Sequence, residues 1–170
     1  MNPYAPPISE LEPVVITAGP ESLYSGYAPF GRRLGAFMLD NLIFAILSWL
    51  AMAVLFVGIT MVLGDLDDLE GAGGVVLILL TYGGQLIGYV AYYSGMESSS
   101  LQATPGKLAM GLRVTDLYGR RIGFGQALGR LAAKIPSALV FYIGFLMAAF
   151  TEKHQALHDM MARTLVVKLR

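Results

Sequence analysis

The sequence contains no cysteine and few charged residues. Cysteine is absent from its 170 residues, and 14% of them are charged. The lack of cysteine excludes disulfides, thiolate metal sites and cysteine nucleophiles. Twelve basic and twelve acidic side chains cancel, so no overall charge directs the protein to nucleic acid. The chain is 55% hydrophobic, which is too apolar for a typical soluble fold and predicts a membrane protein.

The first part of the chain lacks basic residues. Residues 1–31 contain no lysine or arginine and no long apolar run, which is unlike a secretory signal peptide. Six of the eight prolines lie there, together with three glutamates. We therefore expect residues 1–29 to form a disordered, proline-rich tail and residues 30–170 to form the membrane domain.

Two long uncharged runs, 41–63 and 74–93, predict membrane-spanning helices at about 35–63 and 74–93. Each is long enough to cross about 30 Å of hydrocarbon. An acidic segment, 64–74, separates them, while Arg32 and Arg33 precede the first run and a basic segment, 94–130, follows the second. The positive-inside bias therefore predicts a cytoplasmic N-terminus and a cytoplasmic basic segment.

A third apolar run, 131–150, allows two arrangements. It has spanning length, but Lys134 and Pro136 interrupt its first turns. A full crossing would place the basic C-terminal residues outside, against the charge bias. We favour a proline-bent hairpin or an in-plane arrangement, and a third crossing stays open.

The polar segments predict a small sheet. The stretch "GLRVTDLYGRRIGF", 111–124, alternates apolar and polar residues around a turn, which predicts a β-hairpin. The terminal "TLVVKL", 164–169, predicts another strand. Isolated strands would leave unpaired edges, so we expect all three to pair in one cytoplasmic sheet. The predicted fold is an α-helical integral membrane protein with a small cytoplasmic β-hairpin or sheet.

Two charged residues lie near the start of the first span. Seven positions separate Arg33 from Asp40, so they share a helix face about 10 Å apart, which is too far for a direct pair. Water, a cation or a basic group such as Lys107, Arg130 or Lys134 could fill the gap. Asp40 is either an interfacial carboxylate favoured by the helix dipole or a functional acid at membrane depth.

One face of the second span carries small and polar residues. Gly84 and Gly88 form a GxxxG pair, for which helix packing is the favoured use. Gln85 on the same face could meet a polar group from the first span or line a wet path, since a lone amide in lipid needs a partner.

Motifs typical of enzymes are weak. "TPGK" is not a P-loop because Leu108 follows Lys107. His154 and His158 have the spacing of metal ligands, but no glutamate or third ligand accompanies them, which favours surface or capping roles. No catalytic triad or pair of catalytic carboxylates stands out, so we predict no enzyme activity, no cofactor and no metal site.

Four segments in order resemble the RDD family of small bacterial membrane proteins, named for one arginine and two aspartates. They are "GRRLGAFMLD", "SSSLQATPGKLAMGLRVTD", "GFGQALGRLAAK" and "ALHDMMARTLVV". By position, the family arginine is Arg33, with Arg32 beside it, and the aspartates are Asp40 and Asp159. Other positions that fit the family pattern are Gly106, Lys107, Gly111, Arg130 and His158. Arg163 departs from it, because similar sequences commonly have glycine there.

The resemblance implies a multi-pass protein of the bacterial inner membrane and leaves two functions open. In the first, Asp40 alternates between a proton and a small cation, with Asp159, Gln85 or a basic partner completing the site. Two or three spans enclose little, so such a pathway would require a homo-oligomer, with the Gly84 and Gly88 face as a candidate contact. In the second, Arg33, Asp40 and Asp159 form a buried polar clamp in a structural or accessory protein.

Overall fold

The computed structural model describes residues 24–63, 72–139 and 143–170. Most of the predicted tail and of the predicted acidic loop lies outside these residues. The elements, in chain order, are β1 (Tyr24–Tyr27), α1 (Phe30–Leu63), α2 (Ala72–Val90), a π-helical turn (Ala91–Gly95), α3 (Met96–Ser98), α4 (Pro105–Ala109), β2 (Leu112–Asp116), α5 (Phe124–Ala132), α6 (Lys134–Leu139), α7 (Ile143–Phe150), α8 (Leu157–Met161) and β3 (Thr164–Leu169).

Two helices are long and apolar enough to cross a membrane, as predicted. Within the described residues they run over Phe30–Val62 and Gly73–Ser98. At 34 residues, α1 is about 51 Å long, which exceeds a hydrocarbon core of about 30 Å. Large apolar side chains along both helices, such as Trp49 and Leu79, are exposed on the protein surface, as expected for helices that face lipid.

The third apolar run forms two short helices, α6 and α7, of six and eight residues. Neither can span a bilayer, since eight residues reach only about 12 Å. The two helices pack closely, because a Cβ built on Gly144 would lie 2.8 Å from Cα of Ser137. A third crossing is not confirmed. Residues 140–142, between the two helices, lie outside the described residues.

The three strands form an antiparallel sheet in the order β1-β3-β2. Val114 of β2 pairs with Val166 of β3, and Tyr27 of β1 pairs with Val167. The predicted terminal strand is confirmed as the central β3. Because β1 precedes the first long helix and β2 follows the second, both ends of this helix pair return to the same sheet.

Two sequence predictions about the strands are wrong. The second half of the predicted hairpin is not a strand, because Asp116 accepts hydrogen bonds from the backbone N–H groups of Tyr118 and Arg120 and closes the turn locally. The chain then enters α5 instead of pairing with β2. The sheet takes its third strand, Tyr24–Tyr27, from residues that the sequence analysis assigned to the disordered tail.

Each face of the sheet has an apolar cluster. Val166 and Val114 pack with Leu112, Ala36 of α1 and Ala127 of α5. Leu165 and Val167, on the opposite face of β3, pack with Tyr24, Tyr27 and Leu117. The sheet is thereby fixed against the first turns of α1, which carry Arg33 and Asp40.

Candidate functional site

Asp40 is 1% exposed and accepts three hydrogen bonds from other segments. The Thr104 hydroxyl donates to Oδ2 at 2.5 Å, and the backbone N–H of Gly106 donates to Oδ1 at 2.7 Å. The Tyr92 hydroxyl, from the π-helical turn, donates to Oδ1 at 3.0 Å. Thr104 and Gly106 lie at the start of α4, so Asp40 caps that helix and ties it to α1.

The close approach of α4 to α1 requires glycine at position 106. A Cβ there would lie 2.4 Å from the carbonyl oxygen of Ala36 and 2.7 Å from Cγ of Asp40. Any side chain would therefore push the two helices apart. In the "TPGK" turn, the Thr104 hydroxyl and the Gly106 N–H bind Asp40, and the lack of a side chain at Gly106 allows this close approach.

Asp159, at the start of α8, is fully buried and joins two arginines. Arg33 Nη1 lies 2.5 Å from Oδ2, and Arg130 Nη2 lies 2.6 Å from Oδ1. The backbone N–H of Ala156 also donates to Oδ2, at 3.2 Å, which caps α8. Arg33 therefore bridges from α1 to Asp159, the second aspartate, and not to Asp40.

Glu97 extends this chain of ion pairs. It follows the π-helical turn, is 2% exposed, and pairs with Arg130 Nη1 at 2.6 Å and with the Lys107 ammonium. We call Arg33, Asp159, Arg130, Glu97 and Lys107 the ion-pair chain. It connects α1, α8, α5, the end of the second span and α4.

In the ion-pair chain, burial and pairing with opposite charges shift the pKa values in opposite directions. Burial alone would raise the pKa of the Asp159 carboxyl, but Arg130 and Arg33 hold it far below its ordinary value. Burial alone would lower the pKa of Arg130, but the negative charges of Glu97 and Asp159 raise it above its ordinary value. His158, mainly through burial, has its pKa lowered to about 3, so it is neutral at pH 7. Asp159 and Arg130 therefore stay charged at all physiological pH values.

Lys134, at the start of α6, differs from the other cations. Its Nζ lies 4.4 Å from the ring centroid of Tyr93, and among the described residues no carboxylate lies within 4.0 Å of it. Burial lowers its pKa to about 8, with Glu97 offsetting part of that effect.

The remaining sequence candidates lie apart from the ion-pair chain. Arg32 donates only a long bond of 3.4 Å, to the carbonyl of Met110 on the exposed surface. Gln85 Oε1 accepts a hydrogen bond from Ser48 of α1 at 2.9 Å. Nothing lies within 4 Å of a Cβ built on Gly84 or Gly88. The two glycines are therefore not points of close helix contact within the described chain, and contact between copies stays a prediction.

The predicted histidine pair does not form a joint site. The Nδ1 atom of His154 lies 3.0 Å from the carbonyl oxygen of Ala148, whereas Nε2 of His158 lies 3.5 Å from Oδ1 of Asp159. Across the described ranges no group of three or more His, Cys, Asp or Glu side chains is placed to hold a metal.

Sequence reasoning missed Glu97 and assigned Lys107 to the wrong carboxylate. Lys107 was a candidate partner of Asp40, but it pairs with Glu97. A signal was present, because Glu97 is a lone acid just after an apolar span, as Asp40 is a lone acid near the start of one. Arg130 and Asp159, which the sequence also offers as candidates, are paired in the ion-pair chain.

Together, the fold and the site define a membrane protein with two long apolar helices and a buried arginine–aspartate cluster at one end. The RDD family profile matches residues 27–163. The chain belongs to the RDD family. Of the residues that the resemblance assigns to the family motif, Arg33 and Asp159 are paired in the ion-pair chain, and Asp40 caps α4.

Of three similar proteins, one is a membrane protein by name, and none of the three names states an activity. The uncharacterized membrane protein YteJ of Bacillus subtilis is 31% identical over 86% of this chain and 84% of its own length. The uncharacterized protein YxaI of the same species is 46% identical over 46% of this chain, which spans about half of YxaI, 51%. The proline-rich antigen homolog of Mycobacterium tuberculosis is 29% identical over 57% of this chain and 40% of its own length. No solved structure matches the chain significantly.

The departure at Arg163 has a structural counterpart. Arg163 adopts a φ of 51°, in the left-handed region that favours glycine. It lies between α8 and β3, two residues after the end of α8. The chain therefore accepts local backbone strain one residue before the strand that centres the sheet.

Proposed function

We propose that this protein is a non-enzymatic membrane protein whose Arg/Asp motif is a polar clamp. In this role the clamp holds the sheet and the short helices α4, α5 and α8 against the membrane-entry end of α1. The observation that carries the proposal is the 2.5 Å pair between Arg33 and Asp159, which lie 126 residues apart and on opposite sides of the interface.

The bonding of both aspartates supports this role. The Asp40 carboxylate receives three donors, from the π-helical turn and from the start of α4. Asp159 receives two guanidinium groups and a backbone N–H. Carboxylates that are satisfied in this way hold segments in register, and removal of one partner leaves a buried charge that costs about 3–5 kcal/mol.

The sheet also supports a membrane topology in which all three strands lie on the same side of the bilayer. Strands from before the first span, after the second and near the C-terminus share one sheet, so an even number of crossings separates them. Basic residues lie on this side of the protein: Arg113, Arg120, Arg121, Lys168 and Arg170. By the positive-inside bias we propose that the sheet and the N-terminal side are cytoplasmic, in a multi-pass protein of the bacterial inner membrane.

A comparison of Arg33→Gln with Arg32→Gln tests the clamp. Both changes remove one positive charge at the same helix end, but only Arg33 contacts Asp159. We expect Arg33→Gln to lower the free energy of unfolding in detergent by about 3–5 kcal/mol, and Arg32→Gln to change it by less than about 0.5 kcal/mol. Equal effects of the two changes would overturn the proposal.

Transport of a small cation against protons is a second candidate, and a cleft between the two spans favours it. The cleft has a volume of about 280 Å³ and a mostly apolar wall, which includes the polar side chains of Ser48, Gln85 and Tyr92. Tyr92 links the cleft to Asp40 through its hydroxyl. These polar groups lie along the two spans and lead to a carboxylate. Open space at Gly84 and Gly88 leaves room for a second copy to close the route in a homo-oligomer.

Reconstitution tests this candidate separately from the clamp. Purified protein in proteoliposomes is assayed for sodium or potassium flux with proton counterflow. Transport predicts that Gln85→Leu slows the flux while the protein stays folded, and that Asp40→Asn abolishes it. If the unaltered protein moves no cation, or if folded Asp40→Asn carries it equally well, the candidate fails and the clamp stands.

A further inference from the structure

A second cavity, of about 260 Å³, lies along the first turns of α1, beside the ion-pair chain. Its polar end is lined by Arg33, Lys107, Arg130 and Lys134, with Asp40 as the acidic residue of the lining. The rest of its wall is mostly apolar. A space with four cationic side chains at one end and hydrocarbon at the other matches an amphiphile with an anionic head.

The charges around the cavity do not cancel. The four cations face three carboxylates, those of Asp40, Glu97 and Asp159. His158 is neutral at pH 7, as shown above. The sum is one excess positive charge. Lys134 is the cation without an ion pair, because within the described residues its partner is the Tyr93 ring and not a carboxylate.

A second group also lacks a partner. Nη2 of Arg33 is buried without a hydrogen-bond acceptor, although Arg33 lines the cavity. A buried guanidinium donor without an acceptor is costly. An anionic oxygen in the cavity could satisfy this donor as well as the Lys134 ammonium.

The apolar wall reaches the lipid-facing surface. Leu34 and Phe37 of α1 and Leu146 of α7 line the cavity, and each of these side chains is partly exposed on the outside of the protein. An acyl chain could therefore lie along them in the bilayer while its headgroup occupies the polar end. Soluble anions would gain nothing from this wall.

We propose that this cavity binds the phosphate of an anionic phospholipid, with Lys134 and Arg33 as its ligands and an acyl chain along Leu34, Phe37 and Leu146. A singly charged phosphodiester would balance the one excess positive charge around the cavity. Such a lipid would neutralise the cluster from the membrane side. The proposed ligands Lys134 and Arg33 take no part in the Asp40 cap, and the site does not depend on whether the Arg/Asp motif acts as a clamp or in transport.

Lipid retention by the full-length protein tests the proposal. The protein is delipidated in detergent and titrated with phosphatidylglycerol, phosphatidylcholine or inorganic phosphate, and the bound species is measured by native mass spectrometry. We expect one phosphatidylglycerol per chain, with phosphatidylcholine and inorganic phosphate at least tenfold weaker. Equal binding of phosphatidylcholine overturns the selection for a net anionic lipid, and phosphate binding as strong as that of the lipid overturns the membrane source.

Lys134→Gln, with Lys168→Gln as its matched control, locates the site. Lys168 lies on β3 and does not line the cavity. We expect Lys134→Gln to weaken phosphatidylglycerol binding about tenfold, the size of one lost charge-assisted contact, and Lys168→Gln to leave it unchanged. Equal weakening by both changes overturns the site.

A cavity-filling change covers the case in which Lys134→Gln does not fold. Leu34→Trp keeps every charge but occupies the acyl path, whereas Leu42→Trp adds the same ring on the lipid-exposed part of α1 outside the cavity. We expect loss of binding in the first variant alone. Retention of the lipid by folded Leu34→Trp overturns the proposed acyl path and, with it, the site.

Discussion

Substitution of Gly106 by alanine should break the contact between α1 and α4. The new Cβ would lie 2.4 Å from the carbonyl oxygen of Ala36, so the helices must separate by about 1 Å. The two bonds that Thr104 and Gly106 donate to Asp40, 2.5 and 2.7 Å long, would then stretch beyond useful range. Bonds to a charged group contribute about 1.5–3 kcal/mol each, and overpacking adds about 1–3 kcal/mol. The higher helix propensity of alanine relative to glycine offsets about 1 kcal/mol of this loss.

We therefore expect Gly106→Ala to lower the free energy of unfolding by about 4 kcal/mol, measured by circular dichroism during denaturation in detergent. Gly129→Ala is the matched control, because Gly129 lies in α5 with nothing within 4 Å of a built Cβ. The control should be neutral or more stable by up to about 1 kcal/mol. If Gly106→Ala is as stable as Gly129→Ala, the account of the Asp40 cap is incorrect.

Three further predictions use the strained residue, the buried histidine and the sheet. Arg163→Gly should stabilise the protein by about 1 kcal/mol in the same unfolding assay, since φ is 51° there; a loss of stability would count against strain. Because the His158 pKa falls from 6.5 to about 3 on folding, only the unfolded state binds its proton between these values, so stability should decrease as pH falls from 6.5 towards 3. His158→Gln should flatten that slope. A reporter fused after Arg170 should register as cytoplasmic, and an external signal would contradict the proposed cytoplasmic side of the sheet.

The two spans and the distance between Arg33 and Asp40 could be predicted because they follow from helix geometry alone. Residues seven apart on a helix cannot pair directly, which predicts that each needs a partner from elsewhere. The structure supplies Asp159 for Arg33 and the start of α4 for Asp40. Local periodicity contains no information on which distant segment returns to a helix end.

The errors have the same origin. Alternation before and after "DLYG" predicts a hairpin, but Asp116 closes the turn with its own side chain, and β2 pairs with β3 and not with the residues after the turn. Tyr24–Tyr27 reads as a tail beside prolines, yet it gains a strand partner in β3. Glu97 was missed because its partner, Arg130, lies 33 positions away in the chain. In each of these three places the structure depends on a partner that is distant in the chain, and the local sequence pattern does not identify that partner.

The central claim is that Arg33 and Asp159 act on each other across the interface between α1 and α8. A double-mutant cycle with Arg33→Gln, Asp159→Asn and both changes together, read as free energies of unfolding in detergent, measures that interaction directly. The clamp predicts a coupling energy of about 2 kcal/mol or more, because the two groups are buried and 2.5 Å apart. Additive effects of the two changes would contradict it.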